Sequence, residues 1–115
     1  MNVTIYHNPR CGKSRQTLQL LKDNGIEPVI IEYLKSPPGA EQLDALLLQL
    51  GLDPRELMRI KEAEYKELGL ADESLDRHAL IDAMIKHPIL IERPIVVANG
   101  KAAIGRPPEA VLSIL

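Results

Sequence analysis

His7-Asn8-Pro9-Arg10-Cys11-Gly12-Lys13-Ser14-Arg15 gathers what a reactive thiolate needs: one cysteine, small and cationic neighbours, and a place where a short strand turns into a helix. Amides at a helix N-terminus stabilise negative sulfur, and Lys13 and Arg15 add positive potential beside it. A structural cysteine behaves instead as a small hydrophobe and sits among apolar side chains. The run after Cys11 is small and polar, suited to an open, amide-lined helix start. Cys11 is therefore read as a nucleophile.

Spacing narrows the chemistry further. Cys11 is the single cysteine of the chain, so no internal disulfide forms, which fits a reducing cytoplasm. Any oxidising equivalent it takes up must pass to a thiol of another molecule. Ser14 stands where a dithiol oxidoreductase keeps its second cysteine, which removes an internal C-x-x-C cycle. Cys11 to Arg15 is C-x3-R, so the phosphate loop of low-molecular-weight phosphatases, C-x5-R, is absent. His7 is either a loop histidine bonded to a backbone carbonyl or a neighbour that helps the thiol ionise. His78 and His87 have no spaced partner, and no metal site is expected.

The elements that must carry these residues follow from pattern. At 115 residues the chain fits one domain, with an interior built from Leu, Ile, Val and Ala, because Phe and Trp are absent. Val3-Thr4-Ile5-Tyr6 reads as a strand, Ser14 to Asn24 as a helix closed by Gly25, and Pro28 to Tyr33 as a second strand, a βαβ unit with parallel strands. Its active turn lies at a strand's carboxyl end, where open α/β sheets place ligands. Pro37-Pro38-Gly39 breaks the pattern, and Leu43, Leu46, Leu47 and Leu50 then mark a helix. Asp53-Pro54-Arg55-Glu56 starts another, on which Arg59 is expected; helices around Ala63–Leu68 and Ser74–Lys86 follow, closed by His87-Pro88. Ile95-Val96-Val97-Ala98 and Lys101-Ala102-Ala103-Ile104 flank Asn99-Gly100 as a hairpin, and Pro107-Pro108 opens a short terminal helix.

Charge and targeting exclude some partners. A net charge of -2 gives no global attraction to nucleic acid or to an anionic membrane, so anion binding must come from locally gathered arginines. The N-terminus lacks a signal-peptide pattern and no run is long and apolar enough to span a bilayer, so a cytoplasmic protein is expected.

The order β-α-β, helices, β-β-α, with a cysteine on the first βα turn and Pro94 heading the third strand, resembles the thioredoxin fold, an α/β fold with a mixed sheet, here carrying a helical insertion over about 40–87. Within it, His7-Asn8-Pro9-x-Cys11-Gly12-x-Ser14-Arg15, Arg93-Pro94-Ile95-Val96 and Arg106-Pro107 are similar to the glutaredoxin-dependent arsenate reductase (ArsC) family along essentially the whole chain. The resemblance implies a Cys11 thiolate that attacks arsenate held by Arg59, Arg93 and Arg106. It places His7 near the sulfur and Gly12, Ser14 and Arg15 around the anion. It further implies glutathione as co-substrate, glutaredoxin as protein partner and no bound cofactor. An arginine fork suits a tetrahedral oxyanion and stays charged at any working pH. Arg93 and Arg106, each directly before proline at an element boundary, fit that role better than that of solvated surface arginines.

Two other readings belong to the same fold. Spx-like regulators, which bind RNA polymerase, carry a C-x-x-C switch and lack the arginine set, whereas this chain has Ser14 and all three arginines. Cys11-Gly12-Lys13-Ser14 also resembles the C-G-x-S of monothiol glutaredoxins that hold iron-sulfur clusters. Lys13 stands where many arsenate reductases have threonine, and resistance-operon members usually continue beyond the position of Leu115. A housekeeping homologue working slowly or on another oxyanion fits those departures.

Overall fold

The computed structural model describes residues 2–115, in which the chain divides into two compact units. One comprises residues up to Ser36 together with Arg93–Leu115; the other is Pro37–Glu92.

The first unit is built on a four-stranded sheet of β1 (Val3–His7), β2 (Val29–Glu32), β3 (Ile95–Ala98) and β4 (Lys101–Ile104), in the order β2-β1-β3-β4. β1 runs parallel to β2 and antiparallel to β3, and β3 and β4 form the expected hairpin. Asn99 and Gly100 both take positive φ, 55° and 73°, as a two-residue turn matched to strand twist requires. Helix α1 (Gly12–Asp23) connects β1 to β2, and a 3-10 helix over Pro108–Ile114 follows β4. Val3 and Ile5 of β1, Val96 and Ala98 of β3, Leu21 of α1, and Val111 and Ile114 form one buried cluster. At about 25 cal/mol per Å² of apolar surface, such burial is what fixes α1 on the sheet. This mixed α/β sheet with its βαβ and ββα halves is the thioredoxin-like fold that the element order implied.

The second unit holds α2 (Ala40–Leu50), α3 (Pro54–Leu57), α4 (Ala63–Glu67), α5 (Arg77–Lys86) and a 3-10 turn at Pro88–Leu90. Leu43, Leu46 and Leu47 of α2 and Leu80, Ile81 and Met84 of α5 are buried, and the two helices pack on each other. Asp76 caps α5 by accepting the Ala79 N–H at 2.8 Å, so the helix starts three residues after the expected Ser74.

Two elements differ from expectation. The helix opened by Asp53-Pro54 ends after one turn, because the chain beyond it pairs with a distant segment: Met58 bridges Ile91, Arg59 N–H donates to Leu90 O at 2.7 Å, and Glu92 N–H to Leu57 O at 2.8 Å. Arg59 therefore lies outside the helix, directly after the bridging residue Met58. The terminal helix is 3-10, with contacts such as Ala110 N–H to Pro107 O at 3.0 Å. No helix among the described residues is long and apolar enough to cross a membrane.

Candidate active site

β1 delivers the chain to its carboxyl end at His7, and Asn8–Cys11 turns it into α1. Asn8 organises that turn: its main-chain oxygen accepts the Cys11 N–H and its side-chain Oδ1 accepts the Arg10 N–H, both at 3.0 Å. Cys11 is the N-cap of α1, with extended φ and ψ of -91° and 123°, and its own oxygen accepts the Arg15 N–H at 3.0 Å. α1 begins at Gly12, two residues before the position its apolar spacing marked. The sulfur thus stands at the positive end of a twelve-residue helix whose first turn contains no acid.

Two residues of that helix tie down the loop. Ser14, fully buried, shares a 2.6 Å hydrogen bond with His7 Nδ1 and accepts the Asn8 N–H at 3.0 Å. Arg15 donates from Nη1 to Pro9 O at 2.9 Å. His7 is buried, and burial, followed by the charges of Arg15 and Lys22, holds its pKa below the usual 6.5 against the opposing pull of Glu32. The ring is therefore neutral near pH 7.

β3 and β4 supply the other cations. Arg93-Pro94 and Arg106-Pro107 are both cis peptides, at the head of β3 and just after β4. Arg106 donates from Nε to Arg93 O at 2.9 Å, and its Nη2 lies 3.7 Å from Cys11 Sγ. The Nε and Nη1 atoms of Arg93 are shielded from solvent. His7, Cys11, Gly12, Ser14, Arg15, Arg93 and Arg106 thus all belong to the sheet unit. Arg59 belongs to the helical unit, where its guanidinium pairs with Glu62 Oε1 at 3.0 Å and Glu92 Oε1 at 4.0 Å.

Such an arrangement can present amides and guanidinium groups to the oxygens of an anion approaching the sulfur. Asn8 and Gly105, which shape it, were not among the residues singled out from sequence. The signals were there: Asn-Pro-x at a strand end favours an Asx turn, and a lone glycine between a strand and Arg-Pro marks close approach of backbones.

Known proteins carry the same frame. The ArsC family model matches residues 6–114. The uncharacterized protein YfgD of Escherichia coli is 63% identical, over 98% of this chain and 96% of its own length. The arsenate reductase of Rhizobium meliloti is 50% identical over the whole chain and 82% of its own length. Among solved structures, the arsenate reductase from Vibrio cholerae superposes with a TM-score of 0.98 at 58% identity, over 100% of this chain and 98% of that one. Matched by the family model over residues 6–114 and by relatives 50% and 63% identical over nearly its full length, the chain belongs to the ArsC family.

Proposed function

We propose that the protein is an arsenate reductase in which Cys11 is the nucleophile and glutathione and a glutaredoxin supply the electrons. The observation that carries this reading is the placement of Cys11 Sγ at the N-cap of α1, 3.7 Å from Nη2 of an arginine whose Nε is fixed on Arg93 O. The amides of the first turn of α1, from Gly12 to Ser14, and the guanidinium groups of Arg93 and Arg106 would face the arsenate oxygens. The family resemblance adds Arg59 to that set. Arg15, bonded to Pro9, supports the loop as well as contributing charge.

The Cys11 thiolate attacks arsenic(V), a sulfur–arsenic bond forms, and one arsenate oxygen leaves as water after protonation. Two external thiols, glutathione and a glutaredoxin cysteine, then give up two electrons and end joined in a mixed disulfide. Water then cleaves the sulfur–arsenic(III) bond, its oxygen leaving on arsenite and its proton returning Cys11 to the thiol. The lone cysteine supports an external thiol donor, since no second thiol in this sequence can resolve the adduct.

The test is arsenate-dependent NADPH oxidation in the presence of glutathione, glutathione reductase and glutaredoxin. Turnover by the wild type and none by Cys11→Ser is the expected result. Full activity of Cys11→Ser overturns the scheme, and wild-type turnover that persists without glutaredoxin overturns its second half.

A further inference from the structure

Gly105 has no room for a side chain. A Cβ at this position would lie 2.5 Å from Thr17 Oγ1, 2.8 Å from Pro94 Cγ and 3.1 Å from Thr17 Cγ2. Backbone conformation is not the reason, because the positive-φ glycines are Gly25, Gly51, Gly69 and Gly100. The neighbours cannot yield cheaply. Thr17 is fully buried and its hydroxyl donates to Lys13 O at 2.8 Å, one turn back in α1, while Pro94 is a buried ring. Gly105 N–H in turn donates to Pro94 O at 2.9 Å.

Three segments therefore meet at one bare Cα: α1, which carries Cys11 at its start; the head of β3, which follows Arg93; and the end of β4, which precedes Arg106. We propose that Gly105 is a positioning residue, whose missing side chain lets the chain after β4 close on Thr17 and Pro94 so that Arg106 reaches both Arg93 O and Cys11 Sγ. A methyl group here pushes that chain outward, and Arg106, the next residue, moves with it. The assignment rests on the reading of Arg106 as the cation that serves the nucleophile.

The test compares alkylation of Cys11 by anionic iodoacetate and neutral iodoacetamide. Intrinsic thiolate reactivity divides out of the ratio of the two rates, leaving the positive charge beside the sulfur. Arg106→Ala is expected to lower the ratio by about threefold, the order of one screened charge at this range. Gly105→Ala, folded by its melting curve, is expected to fall to the same level, with kcat/KM for arsenate falling alongside. Thr17→Ala removes two of the three obstructing atoms and gives a second, less crowded background for the methyl should the single variant not fold. There the methyl still meets Pro94 Cγ, so Gly105→Ala lowers the ratio relative to Thr17→Ala, by a smaller factor. An unchanged ratio on adding the methyl, in whichever background folds, overturns the proposal. A wild-type ratio for Arg106→Ala overturns the reading of Arg106 itself, and the assignment of Gly105 falls with it.

Discussion

Arg106 donates its Nε–H to the main-chain oxygen of Arg93 at 2.9 Å, so the plane of its guanidinium is set by backbone and not by a flexible side chain. That leaves Nη2 aimed at Cys11 Sγ, 3.7 Å away, although the residue as a whole is exposed. A lysine keeps the charge but is a point donor that cannot bridge two acceptors in one plane. Arg106→Ala should lower kcat/KM for arsenate by about a hundredfold, the cost of losing one preorganised donor to developing charge. Arg106→Lys should recover only part of that loss; full recovery would show that charge alone matters and that the bond to Arg93 O does not.

His7 makes stability depend on pH with a definite sign. Its folded pKa lies below 6.5, chiefly because the ring is buried, whereas the unfolded chain protonates it near 6.5. Above that value both states are neutral and the stability is fully present. As pH falls from there through the depressed folded pKa, the unfolded state binds the extra proton and stability is lost. Melting temperatures from about pH 7.5 to about pH 5.5 should fall more steeply for the wild type than for His7→Gln. Parallel curves would refute the assignment.

Ser14 serves two partners from inside the protein: the His7 ring at 2.6 Å and the Asn8 N–H at 3.0 Å. Ser14→Ala strands both, and an orphaned buried group costs about 1–3 kcal/mol. Urea unfolding should register that loss, while Ser14→Thr, which keeps the hydroxyl, should cost less unless its added methyl is crowded. A Ser14→Ala protein as stable as the wild type would mean that solvent replaces the hydroxyl.

Much of this fold could be read locally. β1, α1, β2 and the hairpin each declare themselves within a dozen residues, through alternation, helical spacing, Gly25 and Asn99-Gly100. What escaped depends on partners far along the chain. α3 stops at Leu57 because Met58 and Arg59 are claimed by Leu90 and Ile91, more than thirty residues on, and pairing of that range overrides helix propensity. Ser14 and Thr17 line the inner face of α1 beside Leu21, yet an apolar-spacing pattern counts them as outward. The approach of Arg106 to Cys11 spans 95 residues of sequence, and only the family motifs linked the two before the structure did.

Arg15 and Lys13 separate geometry from charge. Both are exposed, singly charged residues in the first turn or so of α1, but Arg15 reaches back to hold Pro9 O at 2.9 Å. If the site wants only positive potential, Arg15→Gln and Lys13→Gln should slow arsenate turnover equally. If the strap matters, Arg15→Gln should lower kcat by about fivefold, the equivalent of one net hydrogen bond, and Lys13→Gln by less than about twofold. Arg15→Lys retains the charge and one donor, so it should fall between them. The loss should appear in kcat more than in KM, because a loosened Asn8–Cys11 turn misplaces the sulfur without removing a ligand of the anion. Equal effects of Arg15→Gln and Lys13→Gln would return Arg15 to the role of a simple charge.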